Sequence, residues 1–173
     1  GFIAVFAMSL PVVLAAFADH VFNAGAAGYG LLNALVALGA LAGAVASTRR
    51  RRLRLRSVVF CAGMYGVMLC LAALAPSMPV FGAVMVLSGF WCLMFLTGSN
   101  QLVQVSSNMG IRGRVMSLYI MVLIGGQAIG GPMLGWIAEH ADPHVALLVS
   151  GGVPALAALT VAVILARKGS LSL

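Results

Sequence analysis

From Val145 to Ala166 the chain runs for twenty-two residues without a charged side chain, and Arg167-Lys168 close the run. That length matches the roughly 20 residues a helix needs to cross the hydrocarbon of a bilayer. In hydrocarbon, the peptide groups of such a stretch must bond to each other, which a helix achieves and an open strand does not. Similar stretches occupy residues 1–18, 29–47, 57–75, 80–102 and 115–138. The sequence therefore predicts an all-α integral membrane protein with six transmembrane helices, residues 1–173 forming a single six-helix membrane domain. Only 8% of the residues are charged, against about 25% in a soluble domain, too few to keep this surface in water. The segment Asn23–Gly28 reads as a Gly-rich turn, Pro76-Ser77-Met78-Pro79 as a breaker loop, and Arg112-Gly113-Arg114 as part of a loop between spans four and five. The chain opens on Gly1 without a signal-peptide charge pattern and reads as a piece of a longer protein.

Six crossings put both ends on one side. On that side fall Arg49, Arg50, Arg51, Arg52, Arg54, Arg56, Arg112, Arg114, Arg167 and Lys168, every Lys and Arg in the chain. All three acids, Asp19, Glu139 and Asp142, fall on the other. The excess of Lys and Arg in cytoplasmic loops predicts that both ends of this segment, and the loops after spans two and four, are cytoplasmic. Drawing one arginine to mid-bilayer costs about 2.5–3.5 kcal/mol on the insertion scale, so the run after span two fixes orientation. Nucleic acid is not the expected partner, because the run sits between two spans without aromatic or polar readers beside it. The bilayer is a partner, and its anionic lipids attract such a run.

The residues offer little reaction chemistry. Cys61, Cys70 and Cys92 lack metal-ligand spacing, and Cys61 and Cys70 fall on opposite sides of one helix, so all three read as packing residues. His140, Asp142 and His144 read as a solvated outer loop rather than a metal site. No nucleophile–base pair or acid pair lies at membrane depth, so no enzyme, cofactor or metal is expected.

Polar side chains at membrane depth are costly and tend to face a protein interior or cavity. They are Asn33 in span two, Asn100 and Gln101 near the end of span four, and Gln127 in mid-span five. Gln127 fits an interhelical hydrogen bond as well as a substrate contact, and Asn100 and Gln101 fit gate or packing roles as well as substrate contact. Trp91 suits a cavity wall or plain packing. Pro11 and Pro132 remove backbone bonds within spans and are candidate kinks near gates. The pairs Gly39/Gly43, Gly126/Gly130 and Gly131/Gly135 let helices approach closely. Arg112 and Arg114, with Gly113 between them, anchor the cytoplasmic side, and one of them is expected to cap a helix or bridge two halves.

Six spans with basic loops after the second and fourth resemble one half of a twelve-helix major facilitator superfamily transporter. Asn100-Gln101-Leu102-Val103-Gln104 and Arg112-Gly113-Arg114-Val115-Met116-Ser117-Leu118-Tyr119 are similar to the enterobactin-exporter-like branch, the transmembrane secretion effectors. Gly125-Gly126-Gln127-Ala128-Ile129-Gly130-Gly131-Pro132 and Gly28-Tyr29-Gly30-Leu31-Leu32 fit the same branch. The resemblance implies the C-terminal half, helices seven to twelve, of a bacterial plasma-membrane exporter working by alternating access. Its substrate would be a small amphipathic molecule such as a siderophore or drug, and its partner the missing N-terminal six-helix half or a second copy. It also implies that spans one and four line the path, two and five flank it, and three and six face lipid. The superfamily's loop signature is degenerate here: counting from Gly43, Ser47 stands where an aspartate is usual and Thr48 where an arginine is. A latch in this half would then use backbone carbonyls, helix ends or groups of the other half. Since no acid lies at mid-membrane in this chain, the titrating group of any proton coupling is expected in the other half. The alternative is a half-size membrane scaffold or assembly protein without transport of its own.

Overall fold

The computed structural model of the chain describes residues 1, 3–7, 9–21, 25–48 and 55–167, so Arg49, Arg50, Arg51 and Arg52 lie outside the described residues. Five long helices dominate: α2 (Gly25–Thr48), α3 (Leu55–Ala73), α4 (Met78–Ser106), α5 (Arg112–His140) and α6 (Pro143–Arg167). All five are long and apolar enough to cross a membrane. The first apolar stretch is not one continuous α-helix. It is a π-helical turn at Ile3–Ala7, a seven-residue helix α1 at Leu10–Ala16, and a second π-helical turn at Phe17–Val21.

Three expectations are corrected. The predicted turn before span two is shorter than expected, because α2 already begins at Gly25, whose φ of +53° suits a residue without Cβ. Arg112-Gly113-Arg114 is the first turn of α5 rather than loop. Glu139 and His140 belong to the last turn of α5, which leaves only Ala141 and Asp142 between α5 and α6. The reason is length. Helices α4 and α5 have 29 residues each, or about 43 Å at 1.5 Å per residue. The hydrocarbon is only ~30 Å thick, so their polar ends continue as helix into the headgroup layer.

Local chemistry sets these ends. Asp142 caps α6: its Oδ1 accepts the His144 backbone N–H at 2.9 Å, and Pro143 takes the first helical position, where no N–H is needed. Pro11 likewise stands in the first turn of α1, so it starts a helical segment rather than kinking one. Pro132 and Pro154 do lie inside helices.

Between helices in lipid, close van der Waals packing replaces the hydrophobic drive. Helices α2 and α4 run parallel, and a Cβ added at Gly39 or Gly89 would overlap the Val86 or Val36 carbonyl of the facing helix. At Gly43 it would meet the Phe90 carbonyl oxygen at 2.6 Å. Helix α5 packs parallel to the first apolar stretch in the same way, with Gly126 against Ala4 and Gly130 against Val5 and Ser9. Gly131 and Gly135 face only the side chain of Val12 and pack more loosely. Helices α3 and α6 are antiparallel and meet at Gly66 and Gly151, each of whose Cβ positions lies 2.6 Å from the other's carbonyl oxygen. A core of Leu14, Phe17, Tyr65, Phe81, Met85 and Leu147 fills the space between these seams. Helices α2 and α5 bury less than half the share of residues that α3 does.

Candidate functional site

Where α1, α2, α3 and α4 converge, the packing leaves a cavity of about 170 Å³ lined by Leu10, Pro11, Leu14, Asn33, Val36, Tyr65, Gly89 and Cys92. Two of the residues singled out from the sequence, Pro11 and Asn33, meet here. Helix α2 supplies Asn33 to this cavity, α4 supplies Gly89 and Cys92, and α3 supplies Tyr65. Tyr65 is buried, and it lines the cavity together with Cys92. The walls are apolar apart from one carboxamide, one phenol and one thiol. Such a lining can hold an apolar group and orient it through one or two hydrogen bonds. Small-molecule sites usually span about 300–1,000 Å³, so this cavity is at most a part of one.

The other candidates are dispersed. Gln127 of α5 carries its side chain on an exposed face, while its backbone carbonyl accepts the Ser9 hydroxyl at 3.4 Å. That bond ties α5 to the turn ahead of α1. Asn100 is half-buried and its Oδ1 accepts the Gln104 amide one turn along α4, whereas Gln101 is exposed. Nearby, the hydroxyls of Ser99 and Tyr119 lie 2.7 Å apart and join α4 to α5. Trp91 packs edge-on against Phe60 of α3 and Phe90 of α4, with ring centroids 5.6 and 5.2 Å away.

At the basic end, Ser47 and Thr48 turn their hydroxyls back onto the carbonyls of Ala44 and Val45, in the last turn of their own helix. Arg112 is half-buried, and its Nε has no hydrogen-bond partner among the described residues. Arg114 is exposed.

At the acidic end the chain is stitched more closely. The His144 Nδ1 lies 2.7 Å from the carbonyl oxygen of Ala73 at the end of α3, and as the protonated nitrogen it donates there. Phe17 meets the His144 ring edge-on and stacks on Phe81, both at 4.9 Å between centroids. His140 stacks on Trp136 of its own helix. His144 is thus partly buried structure, not the solvated loop residue expected, because α6 begins two residues before it does in the hydropathy pattern.

The sequence did not single out Tyr65, Ser9, Tyr119 or the Gly66/Gly151 contact. For the last a signal exists. Ala62/Gly66 and Gly151/Ala155 are also four apart, and admitting alanine to the small-residue pattern finds them. Tyr65 and Cys92 line one cavity from two helices and leave no local trace.

Compared with known families, the chain matches the profile described as transmembrane secretion effector over residues 2–171. No curated protein and no solved structure matches it.

Proposed function

The chain belongs to the transmembrane secretion effector family of the major facilitator superfamily, and from that membership we propose that it is the C-terminal six-helix half of a secondary exporter. The proposed cargo is a small amphipathic molecule of siderophore or drug type, moved by alternating access between this half and an N-terminal partner half. The observation that carries this reading is the exposure of amide side chains at membrane depth. Asn33 on α2 and Gln127 on α5 stand on exposed faces of the two long helices that bury least of their length. A carboxamide facing hydrocarbon is unfavourable, so those faces are suited to a water-filled path or a second six-helix unit.

Other features support it. The half-buried Arg112 Nε, without a partner among the described residues, offers a donor to a facing half at the basic end, which we place in the cytoplasm by its Lys and Arg content. Glycine seams give smooth contacts along which helices can rock. Asp19 and Glu139 are exposed at the acidic end, so a titrating acid at membrane mid-depth is assigned to the other half.

The test is transport by the full-length protein in proteoliposomes loaded with a fluorescent amphipathic dye. Gln127→Leu and Asn33→Leu are expected to lower kcat/KM about tenfold, which is the loss of ~1.4 kcal/mol of binding in the transition state, while the size-exclusion profile stays unchanged. Unaltered transport in both variants overturns the assignment of these faces to the path. No transport of any amphipathic dye by the unaltered protein overturns the exporter reading in favour of a membrane scaffold.

A further inference from the structure

Helices α3 and α6 touch at Gly66 and Gly151 and then part toward the basic end. At Gly63 an added Cβ would already stand 3.6 Å from the Ala158 Cβ, an ordinary contact. Beside this seam an open groove of about 530 Å³ runs between Arg56, Val59, Phe60, Gly63, Met64 and Val67 of α3 and the Ala155–Leu165 face of α6. Its walls are apolar except at one end, where Arg56 stands exposed. From Arg56 to Val67 is eleven residues, or about 16 Å of helix at 1.5 Å per residue. One leaflet of the hydrocarbon core is half of ~30 Å, about 15 Å deep. The groove is therefore one leaflet long, with a cation at its interfacial end.

The charge of that end selects the occupant. The three acids of the chain, Asp19, Glu139 and Asp142, all stand at the opposite end of the helices. Among the described residues no side-chain carboxylate is available to Arg56. An arginine forms a fork of donors matched to phosphate oxygens, and the interface next to it is made of phosphates.

The geometry points to a phospholipid site: one acyl chain of an anionic lipid in the α3–α6 groove, its phosphate held by Arg56. This stands on the membrane placement of the helices alone and not on transport. It differs from general attraction between a basic loop and an anionic surface in naming a seat, a depth and one arginine.

Native mass spectrometry of the full-length protein, purified in mild detergent, tests it with phosphatidylglycerol and phosphatidylcholine of identical acyl chains. The unaltered protein is expected to retain phosphatidylglycerol about fivefold better, the ratio equal to the ~1 kcal/mol a basic residue gains at an anionic lipid surface. Arg56→Gln is expected to bring the two lipids to equality. Ala162→Trp, on an exposed position of the groove wall, is expected to lower retention of both. Arg114→Gln, a second exposed arginine at the same end, is expected to leave the preference intact. Equal loss with Arg114→Gln and Arg56→Gln overturns the proposal in favour of diffuse attraction. A change from dimer to monomer in Ala162→Trp with lipid retention unchanged overturns it in favour of a second copy. Should Ala162→Trp fail to fold, a photoactivatable acyl chain on the unaltered protein decides: label on the 155–165 peptide supports the groove, and label only elsewhere overturns it.

Discussion

Two seams in this bundle begin from the same device and end differently. Along α2–α4, glycines stand on both helices at Gly39, Gly43, Gly82 and Gly89, and at Gly39, Gly43 and Gly89 an added Cβ would meet the facing backbone. Along α3–α6 the closest approach is at Gly66 and Gly151, and one turn nearer the basic end the contact relaxes to the ordinary spacing at Gly63. The first seam is closed along its length. The second is tightest at one point, with an open groove beside it. Glycine at a helix interface is therefore not a uniform signal of tight packing. Its effect depends on what it meets on the facing helix, backbone at Gly39 and Gly43 but a side chain at Gly63.

The largest effect that would test this contrast is expected at Gly39→Val. The new side chain would overlap the Val86 carbonyl, and a backbone carbonyl in a helix cannot move aside as a side-chain tip does. Overpacking costs about 1–3 kcal/mol where side chains can adjust, and more is expected here. Fluorescence-detected size exclusion of the full-length protein should show loss of the monodisperse peak. A normal peak would mean the α2–α4 seam is not closed as described.

Gly151→Ala should cost less. Its Cβ would meet the Gly66 carbonyl oxygen at 2.6 Å and Leu69 Cβ at 2.7 Å, but the groove beside the contact gives α6 room to shift. The expected result is folded protein with a Tm lowered by a few degrees, in keeping with ~1–3 kcal/mol of overpacking. The smallest effect belongs to Gly63→Ala, which adds an ordinary contact with Ala158 and removes a glycine from a helix interior. Its Tm should stay level or rise slightly, since Ala is favoured over Gly in a helix by up to ~1 kcal/mol. If Gly63→Ala destabilises as much as Gly151→Ala, the groove does not open where it is placed.

Hydropathy made most of the fold legible, and the residues it misplaced share a cause. Arg112, Glu139 and His140 are polar yet helical, because α5 extends past the hydrocarbon into the headgroup layer, where polarity no longer argues against a helix. The candidate site was legible in part. Asn33 and Pro11 were visible as oddities within apolar runs and do meet in one cavity. Tyr65 was not, and Cys92 was read only as a packing residue, until α3 and α4 set both in the wall of that cavity. His144 was read as solvated because it follows Asp142-Pro143. That pair instead starts a helix and delivers the ring to the end of α3.

The two wide turns that flank α1 set a phase. Ala4 and Val13 are both fully buried, and they are nine residues apart. In an uninterrupted α-helix nine residues sweep about 900°, which would leave the two on opposite sides. A π turn closes its bonds from i to i+5 and so accommodates one residue more than an α turn. The turn at Ile3–Ala7 therefore absorbs about 100° of rotation. It lets Ala4 and Val5 mesh with Gly126 and Gly130 while Leu10, Val13, Leu14 and Phe17 still point into the core. Retightening that turn to α geometry would swing the segment ahead of it out of mesh with α5, a change of phase that costs the Gly126 and Gly130 contacts and leaves the core residues of α1 in place.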